Sequence, residues 1–142
     1  MGSNLKLWQL WVARILIGIV LFWNLDAAIS FMAAPSEFVH AFSLEGIPGE
    51  AALRGTGMLF LMWQVPYIFA VLHPIKHRVS VFEALAMQSI GLIGESLIWM
   101  GIPVSYEILR RSILRFILFD GIGVILIIIA LVLTKKKRGM VC

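Results

Sequence analysis

Four long apolar stretches, separated by short polar or basic breaks, organise this sequence: about 7–34, 51–72, 79–100 and 106–134. Each reaches or exceeds the roughly 20 residues that a helix rising about 1.5 Å per residue needs to cross a bilayer core. The first lacks the short apolar core and small-residue cleavage site of a secretory signal, so it reads as a retained helix. Trp8 and Trp11 near its start fit an interfacial aromatic belt. The break at 35–50 (PSEFVHAFSLEGIPGE) mixes two prolines, two glycines and three glutamates with Phe38, Val39, Phe42, Leu44 and Ile47. That mixture predicts a short amphipathic or re-entrant segment at the interface rather than a free loop. His73-Pro74-Ile75-Lys76-His77-Arg78 reads as a tight basic turn, and Pro66 predicts a kink in the second helix. The fold that follows is an all-α, up-down-up-down four-helix transmembrane bundle, a single membrane domain over 1–142.

Composition agrees with the pattern. Of 142 residues, 61% are hydrophobic and 14% charged, with a mean hydropathy of +0.96, against about 45–50% and about 25% in soluble domains. Four spans leave no room for a separate soluble domain. The net charge is +4, yet the bases cluster at helix ends, above all Lys135, Lys136, Lys137 and Arg138. There they act as topology signals rather than as a nucleic-acid surface. Lys6, Lys76, Arg78 and the terminal cluster share one side, with Arg14 just inside the bilayer; Arg54, Arg110, Arg111 and Arg115 lie toward the other. The bias places both termini in the cytoplasm, with the chain integral to a cytoplasmic (inner) membrane. The only cysteine is Cys142, so there is no intrachain disulfide, CxxC pair or zinc pattern, and the C-terminal four residues are no prenylation box.

Charges within spans are expensive, about 2.5–3.5 kcal/mol each on insertion scales, and are functional candidates by default. Asp26, Arg54, Glu95 and Arg115 all fall in the outer half of the bilayer. Arg14 and Glu83 form an inner group placed to make a structural ion pair. Asp120 sits near the bilayer centre, about 140° around the helix from Arg115 and with no obvious partner. The first expectation is that these charges are satisfied arginine–carboxylate pairs that fix helix register. The alternative is a polar pocket in the outer half, formed by Asp26, Arg54, Glu95, Arg115 and Asp120 and holding a quinone, a lipid or another small polar ligand. A through-membrane proton or ion path is poorly supported, because Asp120 alone would link the two groups.

Two helical faces add detail. On the third helix Ala84, Gln88, Gly91 and Glu95 recur at helical spacing, which predicts a packing seam with interhelical hydrogen bonds, and a ligand site as the alternative. On the second, Trp63, Gln64, Pro66 and Tyr67 put polar and aromatic groups beside a break where pockets form. His40, His73 and His77 all lie outside the spans, so bis-histidine haem within the chain is not expected. No metal set, nucleophile–base arrangement, HExxH motif or phosphate-binding glycine loop occurs.

The pattern Arg14-x3-Gly18-x3-Phe22 resembles the opening of DoxX-type proteins, small four-helix bacterial membrane proteins. Leu44-Glu45-Gly46-Ile47-Pro48-Gly49-Glu50, Arg54-Gly55, Met62-Trp63-Gln64-Val65-Pro66-Tyr67 and Gly91-Leu92-Ile93-Gly94-Glu95-Ser96 resemble a group of bacterial membrane proteins without assigned activity. The DoxX resemblance implies a membrane partner of redox enzymes working on thiols or quinones. With no cysteine inside the bundle, direct thiol chemistry is not expected. Sequence alone therefore predicts a non-catalytic accessory or assembly subunit, in contact with membrane lipids and with a protein partner or a second copy of itself. A quinone- or lipid-binding protein is the rival reading.

Overall fold

The computed structural model describes residues 7–135. Four α-helices carry the chain: α1 (Leu7–Ala33), α2 (Gly46–Leu72), α3 (Arg78–Gly101) and α4 (Glu107–Leu133). All four are long and apolar enough to cross a membrane; the protein is an integral membrane protein with an all-α four-helix bundle. A helix of 27 residues is about 40 Å long, so its ends reach beyond the roughly 30 Å hydrocarbon core or the helix tilts. One end of the bundle carries the beginning of α1, the 73–77 turn and the end of α4. The other, termed distal below, carries residues 34–45 and 102–106.

The 35–50 segment divides differently from the sequence expectation. Residues 46–50 are the first turn of α2, not part of the connection. Gly46 has φ +60°, which only glycine adopts without strain, and nothing but Pro48 Cδ approaches the position of its missing Cβ. Pro48 falls in the first helical turn, where its absent N–H breaks no bond. Both residues read as loop signals in the sequence because each also starts a helix. The remainder forms two 3-10 turns, Pro35–Glu37 and Val39–Phe42. Their Ser36, Glu37 and His40 are exposed, while Phe38, Val39 and Phe42 turn onto the bundle and join Phe31, Leu53, Phe60 and Phe116. Phe31 meets Phe38 and Phe42 edge-on at 5.3 and 5.5 Å between ring centroids, a favoured aromatic geometry. This plug closes the distal end. A second cluster, around Ile17, Val20, Tyr67, Val81, Ala84 and Ile127, closes the other.

Lipid is as apolar as leucine, so the helices are held by close packing and hydrogen bonds rather than by hydrophobic burial. Gly57 shows the first: a Cβ there would stand 2.8 Å from the Ala28 carbonyl oxygen and from Met32 Cγ, so α1 and α2 meet at backbone distance. Each helix packs on its two neighbours, whereas the diagonal pairs α1/α3 and α2/α4 do not come within 8 Å between Cα atoms.

The helix C-termini supply the second. No helix has a basic residue in its own last turn; each receives one from its hairpin partner. Arg54 of α2 donates Nη1 to the Met32 carbonyl of α1 at 3.0 Å. Arg14 of α1 donates Nε to Val71 of α2 at 2.9 Å and lies over the Trp11 ring. Arg110 of α4 donates to Trp99 and Ile102 at the end of α3, and Arg78 of α3 donates to Thr134 at the end of α4. A cation on orphan carbonyls satisfies both their lone pairs and the negative end of the helix dipole. The expected Arg14–Glu83 ion pair is therefore corrected: Arg14 is turned to Val71, and Glu83 faces out of the bundle. Among the described residues no arginine or lysine is paired with a carboxylate.

Removing one cap should be measurable. Arg14→Met and Arg110→Met are each expected to lower stability by about 1–2 kcal/mol in thermal unfolding of the detergent-solubilised protein. Gly57→Val should cost about 1–3 kcal/mol by overpacking. Gly18→Ala, with nothing within 4 Å of its Cβ position, should be neutral or slightly stabilising.

Candidate functional site

The square arrangement leaves space at the bundle centre, and polar side chains from every helix converge there. On α3 and α4 they interlock. Gln88 packs over Gly123, where a Cβ would stand 2.7 Å from its Nε2, and Asp120 packs over Gly91, where a Cβ would collide with its carboxylate. Each glycine thus makes room for the polar side chain of the opposite helix. Gln88 Nε2 donates to Asp120 Oδ1 at 2.6 Å, and the Tyr67 hydroxyl of α2 donates to Gln88 Oε1 at 2.5 Å, with the Ala84 carbonyl at 3.1 Å. Asn24 of α1 stands beside that hydroxyl. The result is a hydrogen-bonded string joining α2, α3 and α4 across the middle of the membrane; Asp120, at the centre of α4, is about 20 Å from either helix end.

Distal to this string lies a cavity of about 400 Å³, within the range of small-molecule sites. Its polar wall is made by Asn24, Gln64, Tyr67, Gln88, Glu95 and Asp120, and no lysine, arginine or histidine lines it. The rest is apolar and rich in aromatics, with Trp23, Phe60, Trp63, Phe116 and Phe119. Gln64, only 2% exposed, donates Nε2 to the Phe60 carbonyl at 2.8 Å, which leaves its Oε1 buried without a partner. Glu95 Oε2 is likewise buried and unpartnered. The third such atom, Trp99 Nε1, lies outside the cavity wall. Buried polar atoms without a partner are rare in folded proteins and mark places for a ligand or an ordered water.

Both ends of the cavity are blocked. Phe60 and Phe116 belong to the distal plug cluster as well as to its wall, and Tyr67 belongs equally to the cluster at the opposite end. The side is open: Trp63 of α2 and Ile90 and Ile98 of α3 line the cavity and are 46%, 70% and 57% exposed. α2 and α3 are also the least closely packed neighbours. Access is lateral, from the hydrocarbon layer.

Of the charged candidates, Glu95 and Asp120 meet in this cavity. Asp26 and Arg115 do not; both face out of the bundle. Arg54 is exposed and engaged at the end of α1. Arg115 and Arg111 border a separate shallow groove on α4 beside Ala41. Of the four-charge outer cluster expected from the sequence only Glu95 remains, joined by the separately placed Asp120, because helix rotation, invisible to a depth estimate, sends Asp26, Arg54 and Arg115 outward or to carbonyls. The Ala84–Glu95 face is both expected things at once: Ala84 and Gln88 are buried in helix packing, and Gly91 and Glu95 line the cavity. The polar residues flanking Pro66 do form a pocket wall, and α2 continues as a helix through that proline. Asn24 and the aromatics Trp23, Phe60, Phe116 and Phe119 escaped the sequence reading. Their signal was helical spacing with the polar residues, as in Phe60-x3-Gln64-x2-Tyr67 and Phe116-x3-Asp120.

Among the described residues no three metal-ligating side chains come together, and His40, His73 and His77 lie at the bundle ends. No protein-family model, curated protein or solved structure matches the chain.

The interlock predicts an asymmetry between neighbouring glycines. Gly91→Ala should displace Asp120 and lower the unfolding temperature clearly, whereas Gly94→Ala, with open space at its Cβ position, should be tolerated. Tyr67→Phe should cost about 1–2 kcal/mol, read in the same thermal unfolding.

Proposed function

We propose that this protein is a binding protein for a lipophilic small molecule that reaches it through the bilayer. The observation that carries this reading is the pair of buried, unpartnered acceptors, Gln64 Oε1 and Glu95 Oε2, on a laterally open cavity. Such atoms call for a ligand with hydrogen-bond donors on an apolar body. A quinone offers only acceptors and leaves the Gln64 amide oxygen unmet; its reduced quinol form, an alcohol or an amine meets it. A phospholipid phosphate finds no cation in the wall. The accessory-subunit reading loses its main support, since the small-residue face of α3 is turned into the bundle rather than toward a partner. The resemblance to DoxX-type proteins accords with a membrane-borne ligand, and the lysine and arginine bias with termini on the cytoplasmic side of a bacterial inner membrane.

Native mass spectrometry of protein extracted in mild detergent tests this. The wild type should carry a small non-phospholipid adduct that Glu95→Gln, folded to the same helicity, retains at a few-fold lower occupancy. A wild-type bundle that is always empty and instead copurifies with a stoichiometric protein partner would restore the subunit reading. For orientation, Cys142 should react with a membrane-impermeant thiol reagent only after spheroplasts are permeabilised; labelling of intact spheroplasts would reverse the topology.

A further inference from the structure

We infer that the ligand of this cavity is an organic cation, an amine or ammonium carried on an apolar, preferably aromatic, body. The inference rests on the cavity being the ligand site and adds the charge of what fills it. Three independent features agree.

The first is the charge of the wall. Two carboxyl side chains, Glu95 and Asp120, face the same space, and no basic residue shares it. The arginines that could have supplied a counter-charge are engaged elsewhere. Arg14, Arg54, Arg78 and Arg110 hold helix C-termini, and Arg111 and Arg115 face outward. Ionisable groups inside a membrane pair with one another, with other polar groups or with a functional charge; Asp120 accepts from Gln88, no cationic side chain lines the space, and a cationic ligand would supply the missing counter-charge.

The second is the polarity of the hydrogen bonds. One N–H of Gln64, one N–H of Gln88 and the hydroxyl of Tyr67 donate to protein acceptors. The buried wall atoms left without a partner are both oxygens: Gln64 Oε1, nine-tenths buried and more, and Glu95 Oε2. An ammonium brings several N–H donors and a charge that strengthens each bond. An anion meets two carboxyls and no cationic residue in this wall.

The third is the aromatic lining. Trp23, Phe60, Trp63, Tyr67, Phe116 and Phe119 surround the carboxyls with rings from three helices. Ring faces attract cations, most strongly where water is excluded, and boxes of this composition hold ammonium groups. A quinol would use the rings for stacking alone. Because the two ends are closed by packed clusters and the side is open, the cation must be lipophilic enough to partition into the bilayer before it binds.

The test uses the full chain in lipid nanodiscs and four probes: phenylbutylamine, phenylbutanol and phenylbutyrate, which differ only in the head group, and durohydroquinone as a neutral double donor. Quenching of tryptophan fluorescence reports occupancy, since Trp23 and Trp63 line the cavity. The amine is expected to bind saturably and at least about tenfold more tightly than the alcohol, the gain of a desolvated charge-assisted bond with ring contacts. The butyrate should not bind. Glu95→Gln and Asp120→Asn should each weaken the amine about tenfold and leave the alcohol unchanged, while Asp26→Asn, outside the cavity, changes neither. Equal or tighter binding of the alcohol or durohydroquinone overturns the cation assignment and leaves the binding-protein reading standing. Failure of all four to exceed empty discs overturns both. The comparison among probes is made on the wild type, so it holds even if a carboxyl variant does not fold.

Discussion

Every helix end in a membrane protein exposes carbonyl groups that water cannot reach if the end is only slightly submerged. Four arginines meet that constraint here, and they do so reciprocally: α1 and α2 cap each other, as do α3 and α4. The two hairpins follow from this. So does the electrostatic character of the interior, because a guanidinium on a backbone carbonyl is unavailable to a carboxylate. Had Arg14 gone to Glu83 and Arg54 to Glu95, the bundle would have a neutral, closed centre. Instead these four bases sit at the ends, and Glu95 and Asp120 stay inside without them.

Between the hairpins the contact is of a different kind. Gly91 and Gly123 let Asp120 and Gln88 lie against the opposite backbone within the second hairpin, and Tyr67 reaches across from the first to the same glutamine. One side-chain string therefore positions three helices around the cavity. An aromatic cluster then shuts the distal end and a mainly aliphatic one the other. The combination of a fixed polar base, closed ends and an open flank is what makes the space a site rather than a packing defect. An apolar void would need no such orientation, and its lining would leave no buried acceptors without donors.

The fold was readable because spanning length is a property of composition alone. The number of helices and their order followed directly, and the boundary that shifted, at Gly46, shifted because glycine and proline begin helices as well as interrupt them. The site was readable only in part. Depth along a helix can be counted from the sequence, so Glu95 and Asp120 were placed at workable levels. Rotation about the axis cannot be fixed for helices that are apolar nearly all round, and it decides which charges look inward. That is why Asp26 and Arg115 were grouped with Glu95. The arginine caps were missed for a related reason: a backbone carbonyl carries no residue identity, so the partner of Arg14 or Arg110 leaves no mark in a charge map. The polar faces of α2 and α3 were legible, since Gln64, Tyr67, Gln88 and Glu95 stand out against aliphatic neighbours at helical spacing.

The reciprocal caps also bear on how the chain is made. Each cap lies within one hairpin and between helices adjacent in the chain, so a pair of spans completes its own polar accounting as soon as both have left the ribosome. The first hairpin can wait in the lipid for the second without exposing a bare helix terminus. The Tyr67–Gln88 link, both core clusters and the cavity depend on the two halves meeting. The binding site is thus the last part of the molecule to exist during biogenesis, and a ligand that occupies it would favour the finished assembly over two separate hairpins.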